Sequence, residues 1–217
     1  MIDFNFPVLH SAFEQHADLK TSILDAINNQ EENSLEKTET YHCPKCEDRV
    51  TAEVGFSCTQ KDCLCECYTY NISRVDWNNA KDTERLWVKI FGPPFMNHLD
   101  KEMSKVNLMQ PQMINIWFQQ YTKKGSHGWH THGNNFTGVY YLELNSCSPR
   151  TQLVEPMNLN IKEVDAKEGD IIIFPAMYIH RSPMMQSDKT KTIISFNFDC
   201  ATIDIETQLK LKELYGF

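Results

Sequence analysis

No stretch of this chain approaches the roughly 18 consecutive apolar residues that a membrane-spanning helix needs, which sets aside a spanning segment and any membrane partner. The start, Met1-Ile2-Asp3-Phe4-Asn5-Phe6, lacks the basic region and continuous apolar core of a secretory signal, so the expected location is cytoplasmic. Glycine and proline are sparse, 8 and 9 residues in 217, which excludes collagen-like and low-complexity architectures. Positive charge is also short: 21 Lys and Arg face 29 Asp and Glu, for a formal charge of −8. That balance argues against nucleic acid as a partner, because phosphate contacts need basic side chains to displace counterions. Lys123-Lys124 is a local basic spot against this background.

What is present is enough apolar bulk for a core, 41% hydrophobic with 11% aromatic residues, and an uneven distribution of cysteine. Of 8 cysteines, Cys43, Cys46, Cys58, Cys63, Cys65 and Cys67 crowd into one short window. Disulfides do not persist in a reducing compartment, so the cluster reads first as a metal site. Cys43-Pro44-Lys45-Cys46 is a Cys-x-x-Cys knuckle, whose tight turn places two thiolates on one tetrahedral Zn(II) at about 2.3 Å each. Cys58 and Cys63 are the preferred second pair, with Cys65 and Cys67 as alternatives. Cys147 and Cys200 stand apart and are expected as core thiols.

The chain divides into three regions. Residues 1–41 hold an extended Phe4/Phe6/Val8 pattern followed by a helix, with Leu19, Ile23, Leu24 and Ile27 at helical spacing; the polar run from Asn28 to Ser34 ends it. Residues 42–70 are the cysteine-rich segment, where metal would replace an aliphatic core. Residues 71–217 form the main domain. Its first part, Thr83 to Leu108, has helical patterns expected to break at Gly92-Pro93-Pro94. Strand-like runs follow at Met113 to Tyr121, Phe136 to Leu144, Leu159 to Val164, Ile171 to Phe174 and Thr190 to Phe198, and a short helix over Ile205 to Leu214 closes the chain. Short strands divided by polar turns, with no helices between them, favour an antiparallel jelly roll with flanking helices, mainly β in an α+β setting, over any βαβ layout.

Three motifs in the strand-rich half carry chemistry. Gly128-Trp129-His130-Thr131-His132-Gly133 precedes the strand Phe136 to Leu142. Residues two apart on a strand project from one face with Cα atoms about 6.6 Å apart, so both imidazoles can reach one metal. Glu168-Gly169-Asp170-Ile171-Ile172-Ile173-Phe174-Pro175 is a turn and an apolar strand, and His180 follows to supply a third imidazole. Three ligands on one side leave positions open, which suits catalysis more than a closed structural site. Lys189-Thr190-Lys191-Thr192-Ile193-Ile194-Ser195-Phe196-Asn197 puts Lys191 on a strand; an inward lysine calls for an anion.

Gly-Val-Tyr-Tyr after a His pair, then Gly-Asp-Ile-Ile-Ile-Phe-Pro, then His180, then Ile-Ser-Phe-Asn after a basic residue resembles, in this order, the phage-type, prolyl-hydroxylase-like branch of the 2-oxoglutarate- and Fe(II)-dependent oxygenases. The resemblance covers about Asn115 to Asp199 and not the cysteine segment. It implies a double-stranded β-helix, His130 and His180 as iron ligands, and Lys191 as the partner of the far carboxylate of 2-oxoglutarate. It also places Tyr121 and Thr192 as hydrogen-bonding partners of the co-substrate. The resemblance further implies O2 as the other reactant and, as substrate, a protein side chain or small molecule that becomes hydroxylated.

One departure stands out. The wider superfamily carries His-x-Asp or His-x-Glu in the first motif; here His132 occupies the carboxylate position, and no Asp or Glu occurs between Glu102 and Glu143. Either His130, His132 and His180 form a three-His facial site, the favoured reading, or His132 points away and water or an anion completes a two-His site. Asn115 and Trp117 share an alternation face with Tyr121 and fit either a pocket wall or packed interior. His127 is out of phase with the pair and is expected in a loop beside the site; His10, His16 and His98 lie in the helical half without partners at metal spacing. The competing functions are a three-His cupin-type dioxygenase that needs no 2-oxoglutarate and a non-catalytic zinc-bearing interaction module.

Overall fold

The computed structural model describes residues 8–30, 40–42, 49–51, 70–203 and 205–215. In chain order the elements are β1 (Leu9–Ala12), α1 (His16–Asn28), β2 (Thr40–His42), β3 (Arg49–Thr51), β4 (Tyr70–Asn71), β5 (Arg74–Val75), a 3-10 turn at Trp77–Asn79, α2 (Leu86–Ser104), β6 (Leu108–Tyr121), β7 (Ser126–His130), β8 (Phe136–Glu143), β9 (Gln152–Val154), β10 (Ile161–Glu163), β11 (Asp170–Pro175), β12 (His180–Ser182), β13 (Lys191–Ile203) and α3 (Ile205–Tyr215). The six cysteines of the zinc expectation lie outside the described residues. No helix among the described residues is long and apolar enough to cross a membrane.

Two antiparallel sheets face each other. The larger has the order β1-β11-β8-β13-β6-β5 and the smaller β10-β9-β12-β7-β4; β2 and β3 pair separately. This is the jelly-roll core expected from the short strands and polar turns, with helices on one side of the larger sheet. Alternation along the strands sorts the side chains. Even-numbered Ile116 and Phe118 of β6, Tyr140 of β8 and Ile194, Phe196 and Phe198 of β13 pack with Ile23 and Ile27 of α1 and with α2. Odd-numbered Trp117 and Tyr121 of β6, Val139 and Tyr141 of β8 and Ile193 of β13 face the smaller sheet, joined there by Ile172 and Phe174 of β11. The inner layer between the sheets is where the chemistry-bearing residues project.

Two expectations are corrected. The break foreseen at Gly92-Pro93-Pro94 does not occur: α2 runs unbroken from Leu86 to Ser104. A proline inside a helix costs about 3 kcal/mol. Here Trp87, Phe91, Phe95, Leu99 and Met103, every fourth residue, are all fully buried on one stripe. Burial at roughly 1.5–3 kcal/mol per large apolar side chain offsets the two prolines. Pro93 is exposed and Pro94 half-buried, so the ring and the backbone carbonyl it strands fall away from that stripe. The second correction is Cys147, which is exposed, its thiol 2.7 Å from Asn145 Oδ1, because it sits in the turn after β8 and not in the core. Cys200 is half-buried, and burial with Asp199 nearby pushes its thiol up to about 11.

The segment between β5 and α2 is anchored by one buried carboxylate. Asp76 accepts hydrogen bonds from Arg85 Nη1 at 2.5 Å, Trp87 Nε1 at 3.0 Å and the Phe118 backbone N–H at 2.8 Å. Arg85 in turn donates to the Ile116 carbonyl at 2.7 Å. The start of α2 is thereby fixed to the strand that carries Trp117 and Tyr121.

A candidate metal centre

β12 and β7 are antiparallel neighbours with His180 directly opposite His130. On the outer side of this pair, Arg181 stacks its guanidinium 4.5 Å from the Trp129 ring centroid, so the alternate residues His180 and His130 turn inward. β7 ends at His130, and His132 lies just beyond it. The backbone there is held by the His132 N–H donating to the Ala176 carbonyl at 2.9 Å, and by the Ala176 N–H donating back to Asn135 at 3.0 Å. The Phe-Pro element at the end of β11 thus positions the second histidine of the pair.

The three rings converge. His130, His132 and His180 each offer a nitrogen within 4.8 Å of the others, and they are the group with this property among the described residues. Ring centroids lie 4.2 Å apart for His130 and His180 and 5.1 Å for His132 with either neighbour. His130 Nδ1 donates to the Gly128 carbonyl at 2.7 Å and His180 Nδ1 to the Tyr178 carbonyl at 2.9 Å. Each ring therefore keeps an unprotonated Nε2 for the shared space. Burial lowers the pKa of all three; the neighbouring His130 adds to it for His132, which falls to about 4, and for His180, which falls well below the ordinary range. At neutral pH the imidazoles are uncharged, the state in which they bind a metal.

His127 also belongs to this group. It is on β7, not in a loop, and its ring stacks on His130 with centroids 4.0 Å apart while Gln119 Nε2 approaches its Nδ1 at 3.4 Å. Phe174 stands edge-on to His180 at 4.9 Å.

Lys191 is fully buried on the inner face. Its ammonium donates to the Pro149 carbonyl at 2.9 Å and to Ser182 Oγ at 2.8 Å, and lies 5.1 Å from the centroid of the Tyr121 ring. Both acceptors are neutral. Burial pulls the lysine down to about 7, with Arg150 pushing the same way and Glu163 opposing. Ser182 follows His180 by two on β12, and Ser182 and Tyr121, the lysine's neighbours, line the cavity that holds the three imidazoles, with Trp117, Gln119 and Ser195 also in its wall. Tyr121 is fully buried, its hydroxyl donating to Gln119 Oε1 at 3.1 Å and its pKa raised by burial. Thr192 is not brought into this cavity. One residue on from Lys191, it faces the other side of β13, where its hydroxyl donates to Glu143 at 2.9 Å and accepts from Gln120 at 3.3 Å.

His10, His16 and His98 do separate work. His10 pairs with Asp170 at 2.7 Å, His16 Nδ1 meets the Tyr140 hydroxyl at 2.7 Å, and Ser11 Oγ is 3.0 Å from His98. Among the residues at the site that the sequence does not single out are Ser182 and Asn197. Even spacing from His180 and from Lys191 is the signal that places each on the same face as its neighbour.

The donor set fits a divalent transition metal: three neutral imidazoles on one side, with no carboxylate among the residues lining the cavity. A lysine buried without a carboxylate at contact distance among the described residues fits an anionic ligand. Two further buried polar atoms near His132, Trp117 Nε1 and Asn197 Oδ1, have no protein partner among the described residues, as expected where a bound molecule completes the site.

No family model matches the chain, and no curated protein does. Solved structures share the fold. A prolyl hydroxylase from Trichoplax adhaerens, in complex with a hypoxia inducible factor oxygen degradation domain peptide fragment, is 12% identical with a TM-score of 0.53, over 94% of this chain and 86% of that one. A Pseudomonas putida prolyl-4-hydroxylase is 11% identical with a TM-score of 0.51, over 90% and 93%. The non-heme alpha ketoglutarate dependent epimerase SnoN from nogalamycin biosynthesis is 10% identical with a TM-score of 0.56, over 90% and 78%. The chain therefore has the double-stranded β-helix found in 2-oxoglutarate- and Fe(II)-dependent oxygenases.

Proposed function

We propose that this protein is an Fe(II)- and 2-oxoglutarate-dependent dioxygenase that hydroxylates a protein side chain or a small molecule. The observation that carries the reading is a group of three converging imidazoles in a cavity lined by Ser182, whose hydroxyl accepts from a fully buried lysine that has only neutral hydrogen-bond partners among the described residues. His130, His132 and His180 hold the iron through Nε2. Lys191 takes the far carboxylate of 2-oxoglutarate in a charge-assisted contact, which also supplies the counter-charge its burial lacks. Tyr121 packs beside that ammonium and keeps water from it. Iron and 2-oxoglutarate, when bound, supply oxygen activation coupled to decarboxylation of the keto acid to succinate. Trp117 and Gln119 line the cavity beside the imidazoles.

In this reading residues 71–217 are the oxygenase domain, to whose larger sheet β1 adds an edge strand, and Cys43, Cys46, Cys58 and Cys63, or Cys65 and Cys67 in place of the last two, hold a structural zinc. The test is succinate release from 2-oxoglutarate with Fe(II) and O2, for wild type and Lys191→Ala. Release that depends on Lys191 supports the proposal. Oxygen uptake indifferent to 2-oxoglutarate points to the cupin-type alternative, and bound metal without turnover to the non-catalytic one.

A further inference from the structure

One polar side chain on the inner face of β13 has no part in the chemistry above. Asn197 is 5% exposed, its amide nitrogen lies 3.5 Å from His132 Nδ1, and its Oδ1 is buried without a partner among the described residues. The comparison with the other two histidines gives this contact its meaning. His130 and His180 each spend Nδ1–H on a backbone carbonyl. At His132 the group recorded against Nδ1 is a side-chain amide instead.

An amide nitrogen donating to Nδ1 forces the ring proton onto Nε2, which removes Nε2 as a metal ligand. The two ends of an amide are nearly the same size and differ only in whether they donate or accept. With the amide turned over, Oδ1 accepts from Nδ1–H, and all three rings present the same bare nitrogen. The NH2 end then occupies the place where no protein group meets the amide, open to water or to an oxygen atom of a bound molecule.

We propose that Asn197 is a positioning residue for the metal centre: its Oδ1 accepts a hydrogen bond from His132 Nδ1–H and so fixes the tautomer in which His132 is a ligand. This rests on the metal reading of the preceding section, and it explains how a histidine can stand where a carboxylate is otherwise expected. A carboxylate is born without a proton, whereas an imidazole must be told which nitrogen carries it. Outer contacts of this kind are generally worth about 10–100-fold in metal affinity.

The test uses full-length protein, with Co(II) as the metal probe and the side-chain nitrogen NMR spectrum of the metal-free state. The expected result is a wild type with the His132 proton on Nδ1. Asn197→Leu loses that preference and binds Co(II) about 10–100-fold more weakly. Asn197→Asp, which keeps an acceptor, restores both. The proposal is overturned by a wild-type His132 carrying its proton on Nε2, or by Asn197→Leu binding Co(II) within about twofold of wild type, a difference too small for such a contact. If the leucine variant does not fold, the wild-type tautomer and the aspartate variant decide. A wild type that takes up no Co(II) overturns the metal reading itself, and is told apart because the tautomer is read without metal.

Discussion

Lys191 and Tyr121 stand opposite each other across β13 and β6, both fully buried, with the ammonium 5.1 Å from the ring centroid. An aromatic face stabilises a cation but does not neutralise it, and here it leaves the lysine poised near neutrality, at about 7.

That poise predicts a pH-dependent affinity for 2-oxoglutarate. Below about pH 7 Lys191 is charged and binds the dianion directly; above it, binding must first recruit a proton. Affinity is expected to fall by up to about tenfold per pH unit as pH rises above 7. The groups facing the lysine, Glu163 and Arg150, oppose one another and leave burial in control. Calorimetry at pH 8 in two buffers of different ionisation enthalpy should reveal proton uptake; its absence would refute the assignment. The same lowered value makes the ligand-free fold gain stability from pH 7 toward 10.5, because in that window the unfolded chain binds the extra proton.

Replacing His132 with Asp is expected to preserve Co(II) binding, since a carboxylate in that position completes a two-His, one-carboxylate set. His180→Ala, which deletes the imidazole opposite His130, is expected to abolish it. Visible absorption titration of Co(II) reads both, and full binding by His180→Ala would remove that residue from the ligand set.

Asp76→Ala leaves Arg85 buried without its carboxylate and also strips the acceptor from Trp87 and Phe118. Breaking one side of such a buried pair costs about 3–5 kcal/mol. Urea unfolding should show a loss of this order, while a loss near zero would mean that water takes over the carboxylate's role.

Gly138 of β8 tolerates no side chain. A Cβ there falls 2.4 Å from the Phe196 ring and 2.5 Å from the Ile172 carbonyl oxygen, one of them backbone. Gly138→Ala is expected to destabilise the fold by about 1–3 kcal/mol or more, the usual range for overpacking, as a lower midpoint in thermal unfolding.

The sequence shows some of this architecture clearly and hides the rest for physical reasons. The central strands are legible because their two faces meet different surroundings, so alternation is strong in 113–121 and 193–198. The far ends are not: β6 begins at Leu108 and β13 runs to Ile203, so the two strands pair past the runs 113–121 and 190–198 that the sequence marks as strand. Strands β9, β10 and β12 have three residues each, too few for a period of two to declare itself, and only Leu159 to Val164 was read as strand among them. Lys191 was legible from its motif, but Thr192 was placed with it although adjacent strand residues face opposite sides. Even spacing puts Ser182 and Asn197 on the inner face, but their partners, Lys191 and His132, lie on other stretches of chain.

β13 is also a division of labour written at single-residue resolution. Ile194, Phe196 and Phe198 belong to the helix-covered layer, and Lys191, Ser195 and Asn197 to the layer between the sheets. Selection can therefore revise the lining of the inner layer by changing odd positions while foldedness is maintained by even ones. A one-residue deletion within the strand would exchange the two sets and forfeit both at once.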